Sequence, residues 1–253
     1  MQTSVITSTK NESIKLLKKL SQKKYRDQYN LYLVEGIKII NEALSNQEKI
    51  EYLIYDERYI NNAIPANNKI QVTFDILKYI SSLNHPQGIM AAIKQNTTTQ
   101  DITDKGNKWI YLDNITDPSN AAAIVRSADC AGFYGVIFGG NGVDIYNDKF
   151  LRAAMGSNYH IELVRKDNSE KFIPYFKNKG FTIIGADVGG KEGLNIQNKN
   201  ILLIIGNESL GISDKIKNLC DDLVKIPIYG CAESLNAACA ATVLMYKINE
   251  YIK

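Results

Sequence analysis

The stretch "KIPIYGCAESLNAACAATVLMYKI", residues 225–248, decides the fold because it joins a strand to a long helix. "KIPIY" is typical of a strand, Gly230 interrupts it, and the small-residue run from Ser234 predicts the last helix. Three polar side chains stand at this junction in otherwise apolar sequence: Glu233, Ser234 and Asn236. Ser234 is either the cap of the helix or part of a site. The junction is therefore the first candidate site.

Strands and helices alternate upstream of this junction. The predicted strands are "WIYLDNI", "GVIFGG", "HIELVR", "FTIIGAD", "ILLIIGN" and "LVKIPIY". The helices between them are "SNAAAIVRSADCAG", "NDKFLRAAMGS", "SEKFIPYFKNKG" and "SDKIKNLC". Near-continuous apolar strands separated by helices predict a mostly parallel sheet covered on both faces. The glycine-rich "GADVGGKEG" is predicted to be a loop or hairpin.

A polar segment, "QNTTTQDITDKGN", separates this part of the chain from a smaller α/β domain. In the first domain, helices "NESIKLLKKLSQKKYRD", "IKIINEALSN" and "FDILKYISSL" alternate with strands "LYLVEG", "IEYLIYD" and "QGIMAAIK". Asn11 is the expected cap of the first helix. The predicted boundaries are residues 1–95 for the first domain, 96–107 for the linker and 108–253 for the second domain.

Composition excludes several classes of protein. The 253 residues are 45% hydrophobic and 23% charged, as in ordinary globular proteins. Four cysteines without a CxxC pair, and only two histidines, argue against a metal site or a disulfide scaffold. The first residues contain no apolar signal segment, and the run "ILLIIG" is too short to cross a bilayer. We expect a cytoplasmic protein with no metal and no membrane partner.

Positive charge is concentrated in the first domain. The formal charge is +4 over residues 1–95 and −1 over residues 96–253. The first 26 residues contain seven basic side chains and one acidic one. Such an excess suits a polyanion, although a solvated helix face has the same pattern. The candidate residues for binding a polyanion are Lys18, Lys19, Lys23, Lys24 and Arg26.

Two further polar clusters follow predicted strands, where ligands of parallel sheets bind. In "DPSNAAAIVRSAD", Asp117 or Asn120 is able to cap a helix, and Arg126 is either a surface charge or a functional group. The apolar residues before Arg126 favour its partial burial. In "LLIIGNESLGIS", glycines 206 and 211 bracket Glu208, which permits close approach of a ligand but also suits a plain turn.

Two common enzyme classes are disfavoured. The glycine-rich "IFGGNGVD" lacks the full GxGxxG pattern and does not follow the first strand of the domain, so a nicotinamide dehydrogenase is not indicated. A hydrolase triad would need a histidine beside a serine, and the chain offers only His85 and His160.

In this order, "DPSNAAAIVRSAD", "IIGNESLGIS" and "IPIYGCAESLNAACAA" resemble the three signature motifs of the SpoU-type RNA 2'-O-ribose methyltransferases of the SPOUT superfamily. The similarity covers roughly residues 108–250, and the first 95 residues resemble the RNA substrate-binding domain of ribosomal RNA members. The resemblance implies an α/β fold with a deep trefoil knot in the C-terminal domain. It also implies S-adenosylmethionine as the cofactor, RNA as a partner, a homodimer and no metal.

The resemblance also implies two sets of site residues. The catalytic residues it implies are Arg126, Asn120, Glu208, Ser234 and Asn236. The cofactor-binding residues it implies are Ile205, Gly206, Ile226, Ile228 and Leu235. An apolar wall around backbone polar groups suits an adenine ring and a sulfonium methyl group.

The implied reaction is in-line attack of a ribose 2'-hydroxyl on a sulfonium methyl group, which needs alignment and help with a weakly acidic proton. Because guanidinium stays protonated in proteins, we expect Arg126 to bind the adjacent phosphate and stabilise the developing alkoxide. The alternative is a deprotonated Arg126 acting as the base. Glu208 is expected to hold Arg126 or Asn120, while Ser234 and Asn236 fix their loop and reach the RNA.

The resemblance of the first domain favours large-subunit (23S) ribosomal RNA as the substrate. Two alternatives stay open. Transfer RNA would keep the chemistry and change the substrate, and a non-catalytic RNA-binding protein would keep only the fold.

Overall fold

The computed structural model describes residues 5–61, 63–96, 106–166, 169–196 and 198–252. Residues 97–105 of the predicted linker therefore lie outside the described residues. Contacts divide the chain into two compact units. One comprises Met1–Thr97 with Tyr146–Tyr159, and the other comprises Thr98–Ile145 with His160–Lys253. The grouping adds Tyr146–Tyr159 to the first unit, although the sequence analysis assigned this segment to the second domain.

The first unit contains a mixed four-stranded sheet. Its helices are α1 (Glu12–Lys19), α2 (Lys23–Tyr29), α3 (Ile37–Ser45), α4 (Phe74–Ile80) and, from the middle of the chain, α6 (Asp148–Ala154). Its strands are β1 (Leu31–Glu35), β2 (Ile50–Tyr55), β3 (Asn68–Gln71) and β4 (Ile89–Lys94). The strand order is β1-β4-β2-β3, with β4 antiparallel to both neighbours and β3 parallel to β2. Apolar side chains of α1 and α4 pack in one core with the sheet.

The segment Tyr146–Tyr159 packs closely within the first unit. The rings of Tyr32 and Tyr146 lie 4.6 Å apart between centroids, and the Tyr146 hydroxyl donates to the Asn96 carbonyl at 2.9 Å. Ser82 donates to the Asp148 carboxylate at 2.6 Å. These contacts explain why a segment distant in sequence joins this unit.

The first helix differs from its prediction. The structure contains two helices, because α1 ends at Lys19 and α2 begins at Lys23. Asn11 caps α1 as expected, since its side-chain oxygen accepts from the N–H of Ser13 at 2.9 Å.

The second unit contains the predicted parallel sheet. Its strands are β5 (Lys108–Asp113), β6 (Gly135–Gly139), β7 (Glu162–Lys166), β8 (Thr182–Glu192), β9 (Ile201–Gly206) and β10 (Asp222–Lys225). Its helices are α5 (Pro118–Cys130), α7 (Ser169–Asn178), α8 (Asp214–Lys217) and α9 (Ala237–Ile252). The order is β10-β8-β9-β5-β6-β7, and every described pairing in this sheet is parallel.

Helices cover the sheet, which explains its continuously apolar central strands. All six residues of β9 are buried, and Trp109 and Tyr111 of β5 lie in one core with Phe176 of α7. Helices α5 and α9 pack together and are joined by a 2.7 Å hydrogen bond between the hydroxyls of Ser127 and Thr242. The register aligns the carboxyl ends of β6, β5 and β9, where the candidate clusters follow.

Three boundaries in the second unit differ from prediction. Strand β8 continues to Glu192, so "GADVGGKEG" is largely strand, and the prediction of a loop or hairpin is wrong. The extension brings Gly190 against β10, where an added Cβ would lie 2.5 Å from the Leu223 carbonyl oxygen. Strand β10 ends at Lys225, and α9 begins only at Ala237. Among the described residues, no helix has the length and apolar character needed to span a membrane.

Candidate active site

The loop after β9 closes tightly on itself. The N–H of Asn207 donates to the Gly211 carbonyl at 3.0 Å, and the N–H of Gly211 returns a 2.9 Å bond. A Cβ added at Gly206 would lie 2.2 Å from the Gly211 carbonyl carbon. Gly211 has a φ of +67°, a conformation that glycine adopts without strain. Both glycines are therefore required by the backbone of this loop.

Asp113 and Asn114, which the sequence analysis did not select, hold the loop after β9 against the end of β5. Asp113, only 3% exposed at the end of β5, accepts from the N–H of Ser213 at 2.8 Å. The amide of Asn207 donates to the Asn114 carbonyl at 2.8 Å. A carboxylate ending a buried strand was the signal that would have identified Asp113.

Three of the predicted catalytic residues meet in one network. The amide nitrogen of Asn120 donates to Glu208 Oε1 at 2.8 Å, and its oxygen accepts from the Asn236 amide at 2.9 Å. Asn120 lies in the first turn of α5, Glu208 lies in the loop after β9, and Asn236 precedes α9. Three segments distant in sequence are thus joined by side-chain hydrogen bonds. Of the two partners expected for Glu208, the structure shows Asn120.

Helix caps hold two corners of this network. Asp117 caps α5, because its carboxylate accepts from the N–H of Asn120 at 2.8 Å. Asn236 caps α9, since its side-chain oxygen accepts from the N–H of Ala238 at 2.9 Å. The cap of the last helix is therefore Asn236 and not Ser234, because the helix begins three residues after Ser234.

Arg126 and Ser234 lie outside the network. Arg126 is exposed on α5, so the expectation of its partial burial is wrong. The reason is the helix period: Ala123, one turn earlier, is exposed on the same face. Within the described part of the chain, Arg126 has neither a hydrogen bond nor an ion pair, and its guanidinium is available to a ligand. Ser234 is also exposed.

A cavity of about 670 Å³ opens beside the network. It is lined by the ends of β8, β9 and β10, the loops that follow them, and the first turns of α9. All five predicted cofactor-binding residues line it: Ile205, Gly206, Ile226, Ile228 and Leu235. Glu208 and Ser234 line it as well, so the cavity and the polar network share Glu208.

The cavity suits an adenosyl ligand. Its volume lies in the range of small-molecule sites, and its lining is divided between apolar side chains and polar or charged ones. Gly206 is buried but lines the cavity without a side chain, which allows a ligand to approach main-chain polar groups closely. The described residues contain no group of three histidine, cysteine or acidic side chains able to hold a metal ion.

An ion pair between Asp187 and Lys217 lies on the wall of the cavity. Lys217 Nζ lies 2.7 Å from Asp187 Oδ2, and both residues line the cavity. Burial disfavours the ionised form of Asp187, but hydrogen bonds from Lys217 and from the N–H of Gly189 outweigh it and hold the pKa of Asp187 below its ordinary value. The hydrogen bond to Asp187 in turn raises the pKa of Lys217.

The basic residues of the first unit have different environments. Lys19, Lys23 and Lys24 are exposed, and Lys18 is half-buried. The ammonium groups of Lys19 and Lys24 lie 5.4 and 5.7 Å from the ring centroid of Tyr25. This surface therefore combines positive charge with aromatic rings.

Arg26 departs from the other predicted RNA-binding residues. It is 5% exposed, and its guanidinium donates to the carbonyls of Leu20 and Ser21 at 2.9 and 3.0 Å. These carbonyls follow the end of α1, where helices leave acceptors unsatisfied. Arg26 therefore holds α1 against α2, and its burial does not fit the predicted contact with RNA.

Comparison with protein families decides the affiliation. The model of the SpoU rRNA Methylase family matches residues 107–246, and that of the MRM3-like substrate binding domain matches residues 11–91. This chain belongs to the SpoU rRNA methylase family. The SpoU match contains all three motifs, and the second match lies in the first unit.

Individual relatives match over nearly the full chain. The chain is 32% identical to the Bacillus subtilis 23S rRNA (guanosine(2553)-2'-O)-methyltransferase RlmP, covering 96% of this chain and 98% of that protein. It is 27% identical to a Streptomyces viridochromogenes 23S rRNA (uridine(2479)-2'-O)-methyltransferase, over 90% and 85% of the two chains.

Solved structures of the family have the same fold. An AdoMet-bound rRNA methyltransferase from Sinorhizobium meliloti, 27% identical, matches with a TM-score of 0.90 over all of both chains. The SpoU methyltransferase AviRb from Streptomyces viridochromogenes, in complex with AdoMet and 26% identical, matches with a TM-score of 0.85 over 96% and 98% of the two chains. The α/β fold that the motifs implied is therefore confirmed.

Proposed function

We propose that this protein transfers the methyl group of S-adenosylmethionine to a ribose 2'-hydroxyl of 23S ribosomal RNA. The observation that carries the proposal is the Glu208–Asn120–Asn236 network, which joins the three family motifs at the edge of the cavity. The full-length similarity to two 23S rRNA 2'-O-methyltransferases supports the substrate.

In this proposal the five predicted cofactor-binding residues on the cavity wall hold the cofactor, which supplies an electrophilic methyl group when bound. Ile205, Ile226 and Leu235 exclude water from its adenosyl part, and the backbone at Gly206 offers polar contacts. The short loop beginning at Gly206 is fixed by its own hydrogen bonds and by Asp113. A preformed wall of this kind lowers the entropic cost of aligning two reactants.

The RNA side is assigned to the exposed polar residues. Arg126 donates to the phosphate next to the reacting ribose and stabilises negative charge as the 2'-hydroxyl loses its proton. Its exposure and its lack of an ion pair in the described residues support this role. Asn120, held between Glu208 and Asn236, positions the ribose, and Ser234 contacts the RNA from the loop before α9.

The remaining assignments complete the proposal. Residues 1–95 bind RNA through Lys18, Lys19, Lys23 and Lys24, and residues 108–253 form the knotted catalytic domain. The protein acts as a homodimer, which the exposed Tyr246 and Tyr251 on α9 support, at 51% and 57% exposure. Three of the four free cysteines are exposed, which suits the reducing cytoplasm.

Incubation with methyl-tritiated S-adenosylmethionine and RNA from a strain lacking the protein tests the proposal. We expect label in a 2'-O-methylated nucleoside of 23S rRNA. Label in transfer RNA would preserve the chemistry and overturn the substrate. Absence of label from every RNA, together with no cofactor binding by calorimetry, would favour the non-catalytic alternative.

A further inference from the structure

The ion pair on the cavity wall has no role in the site as described so far. Asp187 belongs to β8 and Lys217 ends α8, and their side chains are 12% and 30% exposed. A second pair on the same wall joins Lys225 to Glu192, with side chains 39% and 61% exposed. Of these two pairs, the one formed by Asp187 is the more enclosed.

Both members of the enclosed pair keep hydrogen-bonding capacity. Asp187 accepts from the N–H of Gly189 at 2.8 Å and from Lys217 at 2.7 Å. An ionised carboxylate offers about four acceptor positions, and an ammonium group has three donors. Asp187 therefore has acceptor positions left, and Lys217 has donors left beyond the one given to Asp187. The cavity wall thus presents an anionic acceptor beside a cationic donor.

We propose that Asp187 and Lys217 bind the α-amino acid end of S-adenosylmethionine, Asp187 accepting from its ammonium group and Lys217 donating to its carboxylate. The inference rests on the proposed function and specifies how its cofactor is oriented. A zwitterionic group entering a partly enclosed site needs a partner for each charge, because an unpaired charge there is strongly disfavoured. The adenine ring carries no full charge and suits the apolar wall of Ile205, Ile226 and Leu235.

Two ligands separate this inference from its alternatives. S-adenosylhomocysteine carries the amino acid end, whereas 5'-methylthioadenosine keeps the adenosine and the thioether but lacks that end. Isothermal titration calorimetry measures both ligands on the wild type and on the variants Asp187→Asn and Lys217→Met. We expect each variant to bind S-adenosylhomocysteine about tenfold more weakly, the size of one charge-assisted hydrogen bond. Its affinity for 5'-methylthioadenosine should stay within about twofold of wild type.

Lys225→Met is the matched control, because it removes a lysine from the more exposed pair on the same wall. It should leave both affinities within about twofold. Equal losses for both ligands in the Asp187 and Lys217 variants, or no loss for either ligand, would overturn the inference alone. A larger loss of S-adenosylhomocysteine binding in the Lys225 variant than in the Lys217 variant would also overturn it. If the wild type bound neither ligand, the proposed function would fall and this inference with it.

Discussion

Replacing Asn120 by Asp tests whether the polar network serves the reaction. The substitution exchanges the amide nitrogen that donates to Glu208 for a second carboxylate oxygen, and it leaves the side chain nearly the same size. The acceptor for Asn236 is retained. The helix cap from Asp117 is also retained, because it bonds the main-chain N–H of residue 120. The change is therefore confined to the contact with Glu208.

The geometry sets the size of the effect. Two unit charges at the observed 2.8 Å repel by about 1.5 kcal/mol in water and by about 6 kcal/mol at an effective dielectric constant of 20. Because Glu208 is exposed, the aqueous figure is the appropriate one. Loss of the hydrogen bond adds about 1 kcal/mol, and rotation of Glu208 away from Asp recovers part of the sum. If the reaction needs this contact in the transition state, the cost is about 2 kcal/mol, or about a thirtyfold fall in the single-turnover rate constant of methyl transfer.

Single-turnover methylation of 23S rRNA fragments, with saturating cofactor, measures this effect. The double variant Asn120→Asp with Glu208→Gln restores a hydrogen bond between an amide and a carboxylate. In it the amide at position 208 donates to the carboxylate at position 120. The double variant should methylate at least about tenfold faster than Asn120→Asp alone, because coupling of this size is expected only of residues in contact. Ser119→Ala, an exposed change on the same turn, is the control. If the double variant were as slow as the product of both single effects, the network would not act as a unit.

Four further variants test the site and the basic surface of the first unit. Arg126→Ala should reduce methyl transfer at least about a hundredfold and leave S-adenosylhomocysteine affinity within about twofold by calorimetry; full activity would remove Arg126 from the mechanism. Gly206→Ala should lower stability by about 2 kcal/mol or more in urea unfolding and weaken cofactor binding, because its Cβ meets the Gly211 backbone; an unchanged midpoint would contradict this packing. Neutralising Lys18, Lys19, Lys23 and Lys24 together should flatten the salt dependence of RNA binding. Arg26→Gln should instead lower the stability of the protein and leave that salt dependence unchanged. A flattened salt dependence in the Arg26 variant, with none in the lysine variant, would contradict both roles.

The parallel sheet could be predicted because its central strands are buried on both faces. An apolar run as short as residues 201–205, bounded by predicted helices, is typical of a buried strand and too short for a buried helix. Strand β3, in contrast, was missed because its sequence, "NKIQ", is polar and half-exposed, and it forms only by pairing with β2. The extension of β8 was missed because glycine weakens the interior of a strand, whereas the missing side chain at Gly190 lets the backbone of β10 approach.

The candidate site was predictable where a residue's position in a motif also fixed its contacts. Asn120, Glu208 and Asn236 were selected from three separate motifs, and the structure joins them. Burial was harder to predict, because the apolar residues before Arg126 favour a buried face, whereas the helix period places Arg126 beside the exposed Ala123. Arg126 is exposed where partial burial was expected, and Arg26 is buried where exposure was expected.

The exposure of the network separates its role in function from its role in stability. Hydrogen bonds among exposed or half-buried side chains such as Glu208 and Asn120 contribute about 1 kcal/mol each to folding at most, because water competes for both partners. Asp113 is different, because its buried carboxylate accepts from the N–H of Ser213 and from the side-chain amide of Asn114, and its loss would release the loop after β9 from the end of β5. A substitution at Asp113 would therefore change stability and activity together. Changes at Asn120 or Glu208 should alter the rate of methyl transfer in a chain that still folds, which makes them the sharper probes of the chemistry.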